Sequence, residues 1–264
     1  MRPHSFIILI TSILIFGISD KSFALEMPNF MANTPVGSWV TTEDSTTRGK
    51  KTEIMRVTKS LVGEELINGT RHVWLEIKTQ LFKVSRKGKR KPKGDPTYIK
   101  MLSDASMFNS DASNIMANLQ KVAVKIYVKN GDNVMNMSGG GAFASSMMQA
   151  SGSSLEYTTT DLNKERKIDT PIGLVTAHGY MGVGDFEMKV IIKTIKTHSE
   201  AEMWLSEDVP FGMVEMTTVS TINKKQETST SKIIAAGFSG ANSEVDISTA
   251  SENPFNFLNK LKEQ

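Results

Sequence analysis

The chain has 264 residues, contains no cysteine and carries a formal net charge of +3 at pH 7. The lack of cysteine excludes disulfide bonds and thiolate metal sites, and it predicts that the protein is not a lipoprotein anchored through a lipid-modified cysteine. Residues 83–94 contain seven basic and no acidic residues, whereas the rest of the chain after residue 24 has a formal charge of −5. The positive charge is therefore a local patch and not a property of the whole surface.

The first 24 residues have the organisation of a cleavable signal peptide. Arg2 places a positive charge near the amino terminus, residues 6–18 form an uncharged apolar run, and Ser22-Phe23-Ala24 supplies small residues at a cleavage position. The apolar run is shorter than the roughly 20 residues that a helix needs to cross a bilayer. We therefore predict export to the periplasm and a single domain formed by residues 25–264.

The segments that follow predict β-strands, beginning with residues 36–42 and 52–62. Residues 62–65 indicate a break in the second strand, and Asn68-Gly69 predicts a hairpin turn because both residues tolerate positive φ. Apolar and polar residues alternate through residues 72–84, which predicts one buried and one solvent-exposed face. That pattern is typical of antiparallel sheets.

The basic stretch comes next and contains Gly88 and Pro92. It predicts the tip of a hairpin whose returning strand spans residues 97–102. Residues 103–120 are the best helix candidate, with a capping residue followed by apolar residues at helical spacing. Residues 122–129 alternate again and predict another strand.

The second half of the chain predicts more strands after a Gly-rich segment, residues 138–154, which is interpreted as a flexible loop or a short apolar helix. About ten strands against one clear helix predict a mainly β fold, namely a sandwich, a barrel or a large curved sheet. A short helix is predicted for residues 254–262. The later predicted strands are residues 167–170, 175–180, 186–197, 200–205, 212–222 and 227–236.

No motif predicts an enzyme, a metal site or a cofactor. Residues 229–232 fit the S-x-x-K pattern, but the partner motifs of that enzyme class are absent. His72, His178 and His198 are widely separated and lack the spacing of zinc ligands. We therefore expect a protein without catalytic residues, cofactor or metal.

Several segments resemble the LolA-like exported proteins, a superfamily that includes periplasmic lipoprotein carriers. Near the start of the chain they are PVGSWVTTE, residues 35–43, and VGEELINGTRHVWLEIK, residues 62–78. Later in the chain they are the strand end Trp204-Leu205 with the turn Val209-Pro210 and Gly212-x-Val214, and KIDTPIGLVTAHGY, residues 167–180. The resemblance implies a curved antiparallel half-barrel sheet packed around one or a few helices, with a concave apolar face that shelters acyl chains.

A periplasmic, non-enzymatic protein that binds a lipid, a lipoprotein or another hydrophobic ligand is therefore the leading hypothesis. The alternative is an envelope interaction or sensor module whose cavity is filled by its own helix. Apolar residues on the alternating strands are the candidate ligand-binding residues of the cavity. They are Val73, Leu75, Ile77, Val122, Val124, Ile126, Met188, Val190, Ile192, Met203 and Leu205.

The basic stretch is the candidate membrane-docking element. Clustered lysine and arginine bind anionic lipid head groups at about 1 kcal/mol each, and the residues concerned are Lys87, Lys89, Arg90 and Lys91. Nucleic acid is an unfavourable partner because the protein is expected to be exported and no aromatic residue interrupts the charges. A solvated hairpin tip is the alternative interpretation.

Overall fold

The computed structural model describes residue 30 and residues 34–49, 51–85, 88–105, 123–137, 154–190, 193–223 and 225–251. The side chains of residues 123, 154–157, 188–190 and 193 are not part of that description. The predicted signal peptide, most of the predicted helix 103–120, the Gly-rich segment 138–153 and the predicted helix 254–262 lie outside the described residues.

The described residues form one open antiparallel sheet of twelve strands. Its strand order is β7-β6-β5-β3-β2-β1-β12-β11-β10-β9-β8, and β4 pairs with β3 outside this path. The predicted mainly β, antiparallel architecture is confirmed, whereas packing of the sheet around a helix stays a prediction. The strands are β1 (Trp39–Arg48), β2 (Lys51–Ile67), β3 (Thr70–Val84), β4 (Arg90–Pro92), β5 (Thr97–Asp104), β6 (Ala123–Asn130), β7 (Asn133–Asn136), β8 (Ser154–Thr170), β9 (Gly173–Val190), β10 (Lys193–Leu205), β11 (Met213–Ile222) and β12 (Lys225–Gly237).

The hairpin between β2 and β3 turns where the sequence predicts. Asn68 and Gly69 have φ of 51° and 79°, and two residues with positive φ give a turn whose twist matches that of the strands. The predicted break at residues 62–65 is wrong. A β-bulge lies between Leu61 and Gly63, and the strand continues through it because a bulge absorbs one extra residue without ending the ladder.

Several strand boundaries differ from the prediction, and three of the differences are informative. The single strand predicted for residues 186–197 is two strands, β9 and β10, and the sequence between them has no Gly, Pro, Asn or Asp to indicate a turn. The strand predicted at 167–170 is the end of the 17-residue strand β8, whose polar sequence hides it. Residues 103 and 104 belong to β5, so the predicted helix 103–120 cannot begin there.

The loop between β10 and β11 joins the apolar clusters of the sheet, and it contains the Val-Pro turn of the resemblance. Val209 packs with Trp204, whereas Phe211 packs with residues of β1, β2 and β3. Phe211 and Gly212 both have positive φ, 64° and 76°. A Cβ on Gly212 would lie 2.1 Å from Cγ of Phe30, so both the turn and the close ring contact require glycine there.

The segment after β12, residues 238–251, crosses the face of β3, β5 and β6 that carries Glu76 and Lys100, and we call it the strap. Glu76 accepts hydrogen bonds from the Ser243 hydroxyl at 2.7 Å and from the Glu244 backbone N–H at 2.9 Å. At its end the strap pairs with β7, where the Asn136 N–H donates to the Ser251 carbonyl oxygen at 3.0 Å. The strap therefore fixes a second layer on that face of the sheet.

The strap and neighbouring side chains correct the prediction of a solvent-exposed face on β3. His72, Trp74 and Glu76 are 7%, 7% and 4% exposed. Glu76 lies under the strap, and the ring of Trp74 lies between Lys100 and Lys125, whose ammonium groups are 5.2 and 5.7 Å from it. Residues 72–77 of β3 are consequently buried on both faces, although they alternate in polarity, whereas the rest of the strand is half-buried or exposed.

Candidate ligand-binding face

The inner face is the face of the sheet that carries Leu75 and Ile77. Strand register places Leu75 beside Leu61, and Leu81 beside Met55. Because i and i+2 residues of a strand point to one side, these side chains form a continuous surface. One cluster of buried residues contains the three predicted cavity residues of β3, and its buried members are Val40, Met55, Val57, Leu61, Val73, Leu75, Ile77 and Phe211.

Other predicted cavity residues are not all part of this surface. Met203 and Leu205, each 2% exposed, belong to a separate cluster with Tyr180 and Ala201. Val124 is 45% exposed and lies near the sheet edge, where the outermost strand β7 has only four residues. Its role as a cavity residue stays a prediction.

The remaining predicted cavity residues are only partly covered by the structure. Ile126 is half-buried in β6. Val122 and Ile192 lie outside the described residues, and Met188 and Val190 belong to β9 without described side chains. These four residues stay predictions.

A polar patch that the sequence did not predict adjoins the apolar surface on the inner face. Asp44 pairs with Met55 on one side and with Ser231 on the other. Thr218 belongs to the same face, since it pairs with Ser229, two residues from Ser231. We define the polar patch as Asp44, Ser231, Thr218 and Lys59.

Lys59 lies within the apolar part of the inner face, opposite Ile77 in β3 and Val40 in β1. Burial lowers the pKa of Lys59 to about 8, although the charge of Asp44 opposes this shift. The alternation Met55-Val57-Lys59-Leu61 is the sequence pattern from which a lysine on the apolar face could have been predicted. It puts a lysine at an apolar position, which is costly unless its charge is compensated.

Asp44 is electrostatically coupled to Lys59. Burial raises the pKa of Asp44, while the hydroxyls of Ser231 and Thr42 and the charge of Lys59 act to lower it. Desolvation is the larger effect, since loss of water destabilises the charged form of a carboxyl group. No sequence pattern indicates that Asp44 is buried near Lys59, because Asp44 lies in the polar run Thr41 to Thr47.

Three oxygens of the polar patch have no hydrogen-bond partner among the described residues: Asp44 Oδ1, Ser231 Oγ and Thr218 Oγ1. Ser231 and Thr218 are 4% and 6% exposed. The Ser231 hydroxyl is close enough to affect the pKa of Asp44, but the two groups do not meet with hydrogen-bond geometry. Each unpartnered buried polar group costs about 1–3 kcal/mol, so a feature with three of them calls for a functional explanation.

The predicted hairpin is confirmed, since β5, which contains the predicted returning strand 97–102, pairs with β3. The basic stretch at its tip forms an additional short strand, β4, with Arg90 opposite Val84. Lys89 and Lys91 are exposed and form no salt bridge within the part of the chain that the structure describes. Arg90 donates to Glu43 Oε1 at 2.6 Å, so its charge is partly compensated. Lys87 lies outside the described residues.

Other turns place basic residues at the same end of the sheet as this hairpin. The β1–β2 turn is flanked by Lys51, and the β11–β12 turn by Lys225, both exposed. The opposite end carries acidic residues, with Glu64 near the β2–β3 turn and Glu207 in the β10–β11 loop. We call the first of these the basic end of the sheet.

Comparison with known proteins finds no matching family model and no matching curated protein. One partly similar solved structure, from Bacteroides fragilis NCTC 9343, is provisionally described as an exported protein with a YmcC-like fold. It is 12% identical, with coverage of 77% of this chain and 97% of that chain and a TM-score of 0.36. Another, from Parabacteroides distasonis ATCC 8503, is provisionally described as a lipoprotein. It is 10% identical, with coverage of 82% and 100% and the same TM-score of 0.36. Likeness at this level supports no conclusion about function.

A membrane-spanning helix and a group of metal ligands are both absent among the described residues. No helix among them is long and apolar enough to cross a membrane. Within the same residues, no group of three or more His, Cys, Asp or Glu side chains is arranged to hold a metal ion.

Proposed function

We propose that this protein is a periplasmic binding protein with a LolA-like half-barrel, which holds an amphiphilic ligand with an acyl chain against its inner face without catalysis. The observation that carries the proposal is the adjacency of two surfaces. The apolar cluster around Leu75 and Ile77 suits a hydrocarbon chain, and the polar patch beside it offers partners for a head group. Ligand sites commonly combine an apolar lining with a few polar groups that fix orientation.

The direct test is native mass spectrometry of the full-length protein after export to the periplasm and purification without detergent, followed by extraction with organic solvent. We expect a bound mass that extracts as an acyl lipid. A clean mass of the protein alone, with no uptake of a fluorescent fatty acid, would overturn the proposal and favour the interaction module with a self-filled cavity.

A substitution at the border of the apolar cluster locates the bound chain. Leu81 is partly buried against that cluster, and Leu81→Gln is expected to weaken uptake of a fluorescent fatty acid at least about tenfold, since burying an apolar side chain of this size contributes about 1.5–3 kcal/mol. Leu66→Gln is the matched control, because Leu66 is 77% exposed near the β2–β3 turn. Equal loss in both variants would place the chain elsewhere.

The basic end supports a second part of the proposal, which is docking on an anionic membrane. Its exposed lysines come from separate turns, so a flat anionic surface contacts several of them at once. Neutralising the predicted docking residues should weaken binding to phosphatidylglycerol vesicles at least about tenfold, since each contributes about 1 kcal/mol near such a surface. The substitutions are Lys87→Gln, Lys89→Gln, Arg90→Gln and Lys91→Gln.

The control for vesicle binding removes the same kind of charge from the opposite end. Arg71→Gln with Lys167→Gln lowers the net charge near the β2–β3 and β8–β9 turns. This control removes two charges and the hairpin variant four, so an equal loss of binding free energy per charge removed would show dependence on net charge alone. Unchanged binding after neutralising the basic hairpin would reject docking through this end.

A further inference from the structure

We infer that Asp44, Ser231 and Thr218 form a subsite for the neutral, hydroxyl-bearing head of an acylated glycerol. This inference rests on the proposed function, because it names the class of ligand that the inner face takes. It assigns a role to three buried oxygens that have no hydrogen-bond partner among the described residues.

The strand register brings the three side chains together. Asp44 of β1 is directly opposite Ser231 of β12, and directly opposed side chains have Cβ atoms about 4.5–5.5 Å apart. Thr218 of β11 is opposite Ser229, so it is the diagonal neighbour of Ser231, about 7–8 Å away. This spacing is within reach of two neighbouring hydroxyl groups of one small polyol.

The chemistry of the unpartnered atoms selects the head group. An ionised carboxylate only accepts hydrogen bonds, so an occupant that satisfies Asp44 Oδ1 must donate one. The hydroxyls of Ser231 and Thr218 each donate or accept. A glycerol head with adjacent hydroxyls meets both needs, since one hydroxyl donates to Asp44 while accepting from Ser231, and the next pairs with Thr218.

The charge of the patch favours a neutral head over a charged one. Lys59 interacts electrostatically with Asp44, so the polar patch contains one ionisable group of each sign. An added carboxylate or phosphate would leave an unbalanced charge in a poorly hydrated site, which is costly. The shifts in pKa are consistent with a preference for a neutral head group, because burial disfavours the charged forms of both Asp44 and Lys59.

The position of the subsite is right for an amphiphile. Asp44 is opposite Met55, a member of the apolar cluster, and Met55 is opposite Leu81. A head group at Asp44 therefore places the ester and the acyl chain over Met55 and the β3 residues beyond it.

The test measures binding of three probes with the same chain to the full-length, detergent-free protein: 1-monooleoylglycerol, methyl oleate and oleate. Dissociation constants come from displacement of a fluorescent fatty acid. We expect monooleoylglycerol to bind about tenfold more tightly than methyl oleate, because its head group makes two additional hydrogen bonds in the subsite. Oleate should also bind more tightly than methyl oleate, but by a smaller factor than monooleoylglycerol does.

Variants then locate the preference. Asp44→Leu and the double variant Ser231→Ala with Thr218→Val should reduce the preference for monooleoylglycerol over methyl oleate to about twofold or less. Thr228→Val is the matched control, since Thr228 is an exposed residue of the same strand, and it should keep the full preference. The ratio of two ligands within one variant does not depend on the fraction of folded protein, so partial unfolding cannot imitate the result.

The outcomes separate this inference from the proposed function. Equal binding of monooleoylglycerol and methyl oleate by the natural protein, or a preference that survives in the variants, would overturn the polyol subsite and leave acyl binding standing. A preference for oleate would also overturn it. Failure of all three probes to bind would overturn the proposed function, and the subsite with it.

Discussion

The two faces of the sheet each bury a carboxylate near a lysine, and they treat these groups in opposite ways. On the strap-covered face, both carboxylate oxygens of Glu76 accept hydrogen bonds. Lys100 donates there to the Ser243 hydroxyl at 2.7 Å and to the Val245 carbonyl oxygen at 3.2 Å. On the inner face, Asp44 Oδ1 and the Ser231 hydroxyl beside it have no partner among the described residues.

Glu244 of the strap extends the same satisfied network. Burial opposes ionisation of Glu244, but hydrogen bonds from Lys78 and Tyr98 outweigh it and lower the pKa of this carboxyl. The Tyr98 hydroxyl donates to Glu244 at 2.8 Å, and Lys78 donates to both carboxylate oxygens at 2.8 and 2.9 Å. A complete network of this kind attaches the strap to the sheet and fixes one arrangement.

The difference separates a structural polar cluster from a candidate binding site. A buried polar group that the fold satisfies contributes to stability, whereas one that the fold leaves without a partner reduces it. Because natural proteins contain few such groups, several together on one face point to a partner that is not part of the fold. Three stability experiments test whether the two faces differ in this way.

The largest effect is expected at Glu76. Glu76→Leu should lower the free energy of unfolding by about 2–4 kcal/mol, because it removes the acceptor of the Glu244 N–H, one acceptor of the Ser243 hydroxyl and a nearby negative charge that stabilises the Lys100 ammonium. Urea denaturation measures the change. Glu64→Leu is the control, an exposed β2 glutamate whose salt bridge with Arg71 contributes at most about 1 kcal/mol. An equal, small effect in both variants would show that the strap does not stabilise the sheet.

A smaller effect, visible only through its pH dependence, is expected at Lys59. Its pKa is lowered to about 8 in the folded protein from an ordinary 10.5, so between these values the unfolded chain binds more protons. The free energy of unfolding should therefore rise with pH from about 8 to 10.5, and Lys59→Met should remove this part of the rise, on the order of 2 kcal/mol given the partial exposure of the side chain.

The pH series needs a variant that removes an exposed lysine away from the apolar cluster and the polar patch. Lys51→Met serves, because Lys51 is an exposed residue at the start of the same strand. Its stability should follow the natural protein between pH 8 and 10.5. A curve for Lys59→Met that is parallel to the natural one would mean that Lys59 is ordinarily hydrated.

Local sequence patterns predicted much of the sheet. Alternation in β3, the Asn68-Gly69 turn and the basic hairpin correspond to strands and turns of the structure, because they depend on neighbours in the chain. The second buried face of β3 could not be predicted in this way. It depends on Ser243 and Glu244, which lie about 170 residues further along the chain and contact Glu76 only after folding.

The candidate site was predicted only in its apolar part. Val73, Leu75 and Ile77 share one cluster, since period-2 alternation identifies an apolar face directly. Asp44 and Ser231 are separated by most of the chain and become neighbours through the pairing of β1 with β12. Neither residue stands out in its own polar segment, so no local pattern could have joined them.

The smallest effect on stability is expected at Asp44, and its sign is the most informative. Asp44→Leu should leave the free energy of unfolding of the ligand-free protein unchanged or raise it by about 1 kcal/mol, because it replaces a desolvated carboxylate that lacks full hydrogen bonding with an apolar group of similar size. The gain is limited by the loss of the charge that compensates Lys59. Glu76→Leu, the same kind of substitution on the other face, should destabilise the protein. If the Asp44 variant were destabilised as strongly as the Glu76 variant, Asp44 would have to be satisfied within the fold, and the two faces would not differ in the way that the binding proposal requires.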